Sequence, residues 1–571
     1  MTWSGGEALL EVLRAYGVDY IFCSPGTEWV PVWEGLAKLK IRGEKAPEYV
    51  NCRHESLAVA MASGYSKATG RLPAVLLHAT VGTLQGAMAI RSAYHEQIPM
   101  LICAGDSSGF GEDQDDDGGG WRWARSLSDV GGPAALAKPF VKWSSAITAK
   151  ENLLGFVYRG CAIAQAIPKG PVLLSFPWEF LLKSLPEVRI PPPTLVSDLP
   201  QPARATLDRV AQRLQQSQNP IIITEQAGSR PEAVSRLTEL AELLCIPVFE
   251  TLRPDRVNFP KNHPLHAGYD ATQALQEADL VFIVAGTNPW PVPSAFPKDG
   301  TEVIMVDENP LHERMPYWGY RVDLSLTGDI SRVLSALVDI IRPSSSHPGP
   351  QSSLRQARFE RWRTAHEQLV AKWENEALTG RVRKPIAPNW FLRALDSLLP
   401  NDAIVLQETL THGPLIARYI RRAQPCTYFE VTQGGLGLGM GKAAGMKLAQ
   451  RNKPVVYLVG DGSFNYNPVL ACLGLCQEYQ LPILTIILNN GGYTTMKRAH
   501  EKQYPEGWAV KSNTFYGTPI TPAPNYLKVA EAFGAYGERL EDPGEIEPAL
   551  NRAFEQITSG KSALLDVIVE S

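Results

Sequence analysis

The feature that most constrains this 571-residue chain is a strand–helix–strand unit in residues 455–493. Residues 455–459 and 483–488 are short, apolar runs rich in β-branched side chains, as in buried parallel strands. The segment between them, 468–479, has helical length and apolar spacing. A crossover helix of this kind joins two parallel strands, so both strands end on the same edge of a sheet. Open α/β sheets bind their ligands at that edge.

Two residues with side-chain oxygens follow these strands directly. Asp461 lies in Gly-Asp-Gly after the first strand, and Asn490 lies in Asn-Asn-Gly-Gly after the second. The glycines allow a backbone carbonyl, such as that of Gly492, to approach a ligand closely. Oxygen ligands completed by phosphate oxygens suit Mg²⁺. The unit therefore predicts a metal site at Asp461, Asn490 and the Gly492 carbonyl, with two unrelated turns as the alternative.

The composition argues against several classes of function. A formal net charge of −4 provides no basic surface for nucleic acid. No apolar run reaches the ~18 residues that a membrane span needs, and no basic segment followed by an apolar one opens the sequence. A cytoplasmic protein without membrane association is expected. The eight cysteines are scattered and form no CxxC pair, so they are expected to be reduced core residues.

Two proline-rich segments, 189–202 and 343–350, divide the chain. They predict three domains, at 1–188, 203–342 and 385–571. Strands alternate with helices, which predicts an α/β fold of three doubly wound parallel-sheet domains. The predicted strands are residues 20–23, 74–77 and 100–103 in the first domain, 221–224, 280–284 and 302–306 in the second, and 403–406, 455–459 and 483–488 in the third.

Residues 106–120 interrupt this pattern with acidic residues and glycines. They predict a solvated loop, with a calcium site at Asp113, Asp115 and Asp117 as the alternative. Because Trp121 and Trp123 follow at once, the segment is one that can fold over a ligand.

The order, residue types and spacing of these motifs resemble the thiamine diphosphate enzymes of the pyruvate oxidase, acetolactate synthase and benzoylformate decarboxylase family, with motifs most similar to benzoylformate decarboxylase. The resemblance covers nearly the whole chain. It implies a pyrimidine-binding, a central Rossmann-like and a diphosphate-binding domain, with thiamine diphosphate and Mg²⁺ as cofactors and a 2-oxo acid as substrate. It also implies an active site between two subunits, hence a homodimer at minimum and an expected homotetramer.

Three residues of the first domain match the family's chemistry. Glu55, in RHESLAVAMASGY, matches the glutamate that hydrogen-bonds the aminopyrimidine of the cofactor and activates it. His78, in LLHATVGT, matches a histidine of benzoylformate decarboxylases that can transfer protons near pH 7. Thr27 stands where that group has a serine near the substrate carboxylate. The structural alternative for Glu55 is a carboxylate that is favoured at a helix start, and for His78 it is a histidine that merely ends a strand.

The last domain provides the other implied cofactor contacts. The glycine-rich run 434–441 opens a helix whose free backbone amides suit an anion, and Leu436 matches the apolar residue that bends the cofactor. Lys442 adds a cation expected near the phosphates. A dinucleotide fingerprint and a Walker loop both fit this run poorly. The resemblance implies cofactor contacts from Glu55, Thr411, His412, Gly435, Leu436, Met440, Gly462, Ser463 and Asn490.

Two departures from the relatives concern the substrate. Trp290 lies in the region where benzoylformate decarboxylases have a second active-site histidine, and Met496 stands where pyruvate decarboxylases have a catalytic glutamate. Both are expected to contact the substrate. The central domain matches the flavin-binding pattern poorly, which argues against FAD.

The sequence therefore predicts a lyase that decarboxylates an aromatic or branched 2-oxo acid. Because the site has fewer acids than its relatives, ligation of the product to an aldehyde or ketone is a second expected outcome. An acetolactate-synthase-like carboligase, a transferase, is the alternative. A cofactor-binding protein without turnover is a third reading, against which the retained Glu55 argues.

Overall fold

The computed structural model describes residues 2–107, 127–194, 199–251, 254–345, 350–431 and 434–570. Most of the acidic loop, including the alternative calcium ligands and both tryptophans that follow it, lies outside the described residues. Three parallel sheets follow one another along the chain, which confirms the predicted α/β fold of three doubly wound domains. The domain boundaries stay predictions.

The first domain contains eight of the strands: β1 (Thr2–Ser4), β2 (Tyr20–Cys23), β3 (Glu48–Asn51), β4 (Ala74–Leu77), β5 (Met100–Asp106), β6 (Trp143–Ala146), β7 (Pro171–Pro177) and β8 (Ser184–Pro186). Six of them form a parallel sheet in the order β3-β2-β4-β5-β7-β6, and β1 pairs with β8 in antiparallel fashion. The helices are α1 (Gly5–Ala15), α2 (Val30–Ile41), α3 (Glu55–Thr69), α4 (Ala79–His95), α5 (Gly132–Ala137), α6 (Leu153–Gln165) and α7 (Trp178–Leu182).

The central domain contains a parallel sheet in which every residue of the middle strand, Leu280–Val284, is buried. Its strands are β9 (Pro220–Thr224), β10 (Val248–Glu250), β11 (Leu280–Val284), β12 (Glu302–Asp307) and β13 (Leu324–Thr327), in the order β10-β9-β11-β12-β13. Its helices are α8 (Arg204–Gln216), α9 (Pro231–Leu244), α10 (Thr272–Glu277) and α11 (Ile330–Ser345). The long helix α12 (Pro350–Thr379) leads into the last domain.

The last domain has a six-stranded parallel sheet with strands β14 (Ile404–Glu408), β15 (Tyr428–Glu430), β16 (Val455–Gly460), β17 (Leu484–Asn489), β18 (Tyr536–Leu540) and β19 (Ala563–Ile568). Their order is β15-β14-β16-β17-β19-β18. The helices are α13 (Pro388–Leu398), α14 (Gly413–Tyr419), α15 (Gly439–Ala449), α16 (Asp461–Tyr466), α17 (Val469–Glu478), α18 (Thr494–Gln503), α19 (Trp508–Ser512), α20 (Tyr526–Glu531) and α21 (Ile546–Thr558).

The predicted strand–helix–strand unit is β16, α17 and β17, and its two strands are adjacent and parallel. The sequence did not predict the short helix α16, which begins at Asp461, where a turn was the alternative to a metal site. Gly460 has extended backbone angles and precedes this helix as its N-cap. Asp461 thus lies in the first turn of a helix, where the exposed amides and the helix dipole favour a carboxylate.

The first and last domains pack through α3 and α15, which approach backbone to backbone. A Cβ on Gly64 would lie 2.0 Å from the carbonyl oxygen of Lys442, and a Cβ on Gly445 would lie 2.0 Å from that of Met61. Only glycine leaves room for this approach. The glycine-rich turn before α15 is therefore fixed against the first domain of the same chain.

Among the helices of the described ranges, none combines the length and the apolar character that crossing a bilayer requires.

Candidate active site

A cavity of about 140 Å³ lies at the carboxyl edge of the last sheet, where β14, β16 and β17 end. Its walls include eight of the residues predicted to bind cofactor or metal, together with the predicted substrate contact Met496. These eight are Thr411, His412, Leu436, Asp461, Gly462, Ser463, Asn490 and Gly492. Residues from four separate chain segments therefore meet where the strand ends were expected to converge.

Asp461 is buried at one end of this cavity. Burial raises the pKa of Asp461 to about 6, against hydrogen bonds from the backbone amides of Gly462, Gly491 and Gly492, which lower it. The Asn490 side chain lines the same cavity, and its Oδ1 accepts a hydrogen bond from the Gly492 amide at 3.4 Å. A cation here would stabilise the ionised carboxylate that burial disfavours.

The donors at this end are oxygens only: a carboxylate, a side-chain amide and backbone carbonyls. Within the described residues, no group of three or more His, Cys, Asp or Glu side chains could hold a metal ion. Mg²⁺ commonly binds through one or two carboxylates and completes its shell with ligand phosphates. The residues present therefore fit Mg²⁺ held together with a diphosphate, and do not fit an all-protein metal cage.

His412 lies in the cavity wall and is 3% exposed. Burial and the nearby Arg498 lower the pKa of His412 to about 4, against a hydrogen bond with the backbone of Glu570. The imidazole is therefore neutral near pH 7. Its Nε2 has no hydrogen-bond partner among the described residues, which is costly for a buried polar atom. Nε2 can donate to a phosphate oxygen only when the ring is protonated, and the negative charge of a bound diphosphate would favour that form.

The backbone amides at the start of α15, predicted to be free for an anion, are already occupied. The amides of Gly437, Leu438 and Gly439 donate to the carboxylate of Glu408 at 2.8, 3.0 and 3.2 Å. The next amide, that of Met440, donates to Asn467 Oδ1 at 3.0 Å. The physical expectation of an anion at this helix start holds, but the anion is a carboxylate from β14.

The other predicted residues of this run lie in different surroundings. Leu436 lines the cavity, whereas a Cβ on Gly435 would lie 2.6 Å from the sulfur of Met88 in the first domain. The Met440 side chain is 2% exposed and belongs to the core shared by the first and last domains. Contacts of Gly435 and Met440 with the cofactor stay predictions.

Lys442 does not lie near the cavity, and the expectation of a cation beside the phosphates is wrong. Its Nζ donates to Glu96 Oε1 at 2.6 Å and to Ser92 Oγ at 3.2 Å, both in the first domain. Lys67 Nζ donates to the other oxygen of Glu96 at 2.9 Å. Lys442 points away because the close contact of α3 with α15 turns this face of the helix toward the first domain.

Glu55 and His78 lie side by side at the carboxyl edge of the first sheet. Glu55 begins α3 and His78 immediately precedes α4. Both side chains come within 3.4 Å of the point where a Cβ of Gly82 would stand. The exposed Thr27 lies in the neighbouring 3₁₀ turn, Thr27–Trp29. The structure thus brings the predicted catalytic pair together.

Glu28 is a functional candidate that sequence reasoning missed. It is fully buried, and both its carboxylate oxygens lie 2.9 Å from His78 Nδ1. A Cβ on Gly105 would stand 2.2 Å from the Glu28 side chain, so the glycine in β5 makes room for this carboxylate. A carboxylate accepts hydrogen bonds, so Nδ1 carries a proton. The signal available in the sequence was the charged Glu28 itself, directly after the predicted substrate contact Thr27 and before the apolar Trp29.

The two clusters do not meet within one chain. Arg53, two residues before Glu55, forms an ion pair with Glu478 at the last residue of α17, and the Asn51 amide donates to the Tyr479 hydroxyl at 2.9 Å. Asp461 lies beyond the other end of this 10-residue helix, whose length is about 15 Å. Neither Glu55 nor His78 is among the residues that line the cavity of the last domain.

The other two predicted substrate contacts, Met496 and Trp290, differ in position. Met496 is 54% exposed at the rim of the cavity. Trp290 is 3% exposed in the core of the central domain, packed edge-on against Tyr320. This buried position does not support the predicted contact of Trp290 with the substrate.

Three protein-family models match the chain. The model described as the N-terminal TPP binding domain of thiamine pyrophosphate enzymes matches residues 3–116. The central-domain model of the same enzymes matches residues 207–337, and the C-terminal TPP binding domain matches residues 411–567. The three matches follow the order of the three sheets.

Individual proteins match over nearly the full length. The chain is 27% identical to benzoylformate decarboxylase of Pseudomonas aeruginosa, over 96% of each chain. It is 25% identical to the large subunit of acetolactate synthase isozyme 3 of Escherichia coli, over 99% of this chain and 95% of that one. The fold resembles the crystal structure of benzoylformate decarboxylase from Polynucleobacter necessarius, with a TM-score of 0.80 and 22% identity over 100% and 99% of the two chains.

Proposed function

Since the chain belongs to the thiamine pyrophosphate enzyme family, we propose that it decarboxylates a 2-oxo acid with an aromatic or branched side chain, using thiamine diphosphate and Mg²⁺. The observation that carries this proposal is the cluster of Glu55, His78 and Glu28 at the edge of the first sheet. A carboxylate that activates the cofactor lies there beside a histidine whose orientation a second, buried carboxylate fixes. A binding protein without turnover has no need of this arrangement.

The cavity of the last domain would hold the diphosphate end of the cofactor. Asp461, Asn490 and the Gly492 carbonyl would ligate Mg²⁺, and His412 and Ser463 would contact phosphate oxygens. When bound, thiamine diphosphate supplies an electron sink for the pair of electrons released when carbon dioxide leaves a 2-oxo acid. Leu410, Leu436 and Met496 give the cavity an apolar side.

The residues of the first domain would handle the protons. Glu55 would accept a hydrogen bond from, and share a proton with, the aminopyrimidine ring. His78 keeps its Nδ1 proton bonded to the Glu28 carboxylate, which favours the imidazolium. In that form Nε2 also carries a proton and would deliver it to the product carbon. Thr27, exposed in the adjacent turn, would hydrogen-bond the substrate carboxylate.

Two chains would build each site, because neither Glu55 nor His78 lines the cavity of the last domain in the same chain. Val81, Leu84 and Met88 are 46%, 52% and 48% exposed and follow one face of α4, which begins beside His78. Such a row of exposed apolar side chains suits a subunit contact. We propose a homodimer in which the first domain of one subunit faces the last domain of the other, with pairing of dimers into a homotetramer.

A second candidate function is carboligation of the acetolactate synthase type. The match to the acetolactate synthase subunit of Escherichia coli and the thioether of Met496 at the rim, which cannot donate a proton, favour it. The two functions differ in the second substrate, a proton in one case and a carbonyl compound in the other.

Single replacements test the assigned roles. Glu55→Gln and His78→Ala should each reduce turnover of an accepted 2-oxo acid by at least about 100-fold, since each removes a proton-transfer group. His54→Ala, next to Glu55 but not assigned to the chemistry, is the matched control. Wild-type turnover in both variants would overturn the role assignments.

Mixing variants tests the two-chain site. Glu55→Gln and Asp461→Asn are each expected to be inactive alone. In a mixed dimer one site combines two intact halves, so subunits unfolded, mixed and refolded together should recover up to about a quarter of the wild-type activity. No recovery, with mixed dimers demonstrated by mass spectrometry, would contradict the proposed assembly.

A further inference from the structure

A buried carboxylate lies under two walls of the diphosphate cavity. Glu408 is the last residue of β14 and is 3% exposed. Its Oε1 accepts from the amides of Gly437 and Leu438, and its Oε2 accepts from the amide of Gly439. These three amides belong to the turn that directly follows Leu436, whose side chain lines the cavity.

The same carboxylate is linked to the second wall. Asn467 Nδ2 donates to Glu408 Oε2 at 3.1 Å and to the Ser463 carbonyl at 2.9 Å, and its Oδ1 accepts from the Met440 amide. Asn467 directly follows α16, the helix that presents Asp461, Gly462 and Ser463 to the cavity. The Tyr457 hydroxyl also donates to Glu408 Oε2.

The two walls also touch directly at Gly437. This residue has φ +88°, and a Cβ on it would lie 2.2 Å from the carbonyl oxygen of Tyr466, the last residue of α16. Glycine is required there by both conformation and space. The turn after Leu436 and the end of α16 therefore form one unit with Glu408 beneath it.

We propose that Glu408 is a positioning residue for the cofactor: its carboxylate fixes the turn that presents Leu436 and, through Asn467, the helix that presents Asp461 and Ser463. This inference rests on the proposed use of thiamine diphosphate. No atom of Glu408 lines the cavity, so it acts through these two walls and does not touch the cofactor.

The chemistry of the site explains why a carboxylate is needed. Five donors converge on Glu408: three backbone amides, the Tyr457 hydroxyl and the Asn467 side-chain amide. Only a group that accepts and does not donate can satisfy all of them. Burial raises the pKa of Glu408, and the hydrogen bonds act in the opposite direction. A glutamine would place its NH₂ group either against the amide N–H of Gly439 or against the amide N–H groups of Gly437 and Leu438, so donor would face donor.

The test is cofactor binding by the full-length protein freed of cofactor, followed by titration with thiamine diphosphate in excess Mg²⁺. Glu408→Gln should raise the dissociation constant about 10-fold or more, since it disrupts hydrogen bonds to a charged group. Tyr457→Phe is the matched control, because it removes one donor to the same carboxylate. It also removes the 3.2 Å contact of Asn467 Nδ2 with the Tyr457 hydroxyl, but leaves the three amide bonds and the Asn467–Glu408 bond in place. It should raise the constant less than about 3-fold.

Thermal unfolding of the cofactor-free proteins separates positioning from a purely structural role. A structural role predicts that cofactor affinity falls in proportion to the melting temperature in both variants. Positioning predicts that Glu408→Gln loses far more affinity than Tyr457→Phe at a comparable loss of melting temperature. Equal dissociation constants for wild type and Glu408→Gln would overturn the inference.

Two further outcomes have defined meanings. If Glu408→Gln yields no folded protein, Asn467→Ala takes its place, since it breaks the link to α16 and leaves the three amide bonds of Glu408. Unchanged affinity of Asn467→Ala for thiamine diphosphate would also overturn the inference. If the wild-type protein itself binds no thiamine diphosphate with Mg²⁺, the proposed function fails, whatever the variants show.

Discussion

Replacing Glu96 should destabilise the contact between the first and last domains. Its carboxylate lies between the ammonium groups of Lys442 and Lys67, and all three side chains are at most 1% exposed. Burial alone would raise the pKa of Glu96, but the two lysines lower it to about 2. Relative to the ordinary 4.5, this pKa corresponds to about 3 kcal/mol of stability at neutral pH.

Glu96→Gln removes that stabilisation and leaves two buried ammonium groups without a counter-ion. Breaking a buried ion pair costs about 3–5 kcal/mol, so the unfolding transition that includes the first domain should move by that amount at pH 7. A carboxyl whose pKa is lowered in the folded state stabilises it above pH 4.5, so wild type should lose the same contribution as the pH falls from 4.5 toward 2.

Urea unfolding followed by tryptophan fluorescence measures this effect. Lys442→Met is the matched control, because it leaves the one-to-one pair of Glu96 with Lys67 and should cost less. Combining Lys442→Met with Glu96→Gln should recover part of the loss, since one unpaired charge is removed. A midpoint of Glu96→Gln equal to that of wild type would show that this carboxylate does not stabilise the folded protein.

Three further predictions concern single side chains. Glu28→Gln should lower kcat about 10–100-fold in steady-state kinetics with little change in the circular dichroism spectrum, because an amide no longer fixes which nitrogen of His78 carries the proton; an unchanged kcat would show that Glu28 is not needed for this. His412→Ala should weaken thiamine diphosphate binding about 10-fold in a titration of the folded protein, because the Nε2 assigned to a phosphate oxygen has no partner among the described residues; an unchanged affinity would place the phosphates elsewhere. Burial raises the pKa of Glu225 to about 7, so the folded protein keeps a proton that the unfolded chain releases near pH 4.5. The stability of the wild-type protein should therefore fall as the pH rises from 4.5 to 7. Glu225→Gln lacks this loss, so its free energy of unfolding relative to wild type should rise by about 3 kcal/mol from pH 5 to pH 8 in thermal or urea unfolding. A difference between variant and wild type that does not change with pH would contradict the assignment.

The parts of the fold and site that the sequence predicted are those determined by short stretches of chain. Apolar runs such as residues 280–284 predicted buried strands, and the strand ends placed Asp461 and Asn490 at one edge of a sheet. Neither required knowledge of a partner far away in the sequence. The rule that parallel strands end on one edge was sufficient.

The parts that the sequence did not predict depend on distant partners. Lys442 binds Glu96, 346 positions earlier, so its proximity to a glycine-rich run gave the wrong location. Glu408 lies 29 to 31 positions before the amides that it caps. Glu28 lies 50 positions before His78. Pairs of this kind follow from packing of whole elements, which local spacing does not determine.

The proposed decarboxylation is measured as release of carbon dioxide from a panel of aromatic, branched and short-chain 2-oxo acids, with the organic products identified. Thiamine diphosphate and Mg²⁺ are supplied together, singly and not at all. We expect carbon dioxide and an aldehyde from an aromatic or branched acid only when both cofactors are present, with acyloin or acetohydroxy acid as the product if carboligation dominates. No carbon dioxide from any acid of the panel, by folded protein shown to bind the cofactor, would contradict it.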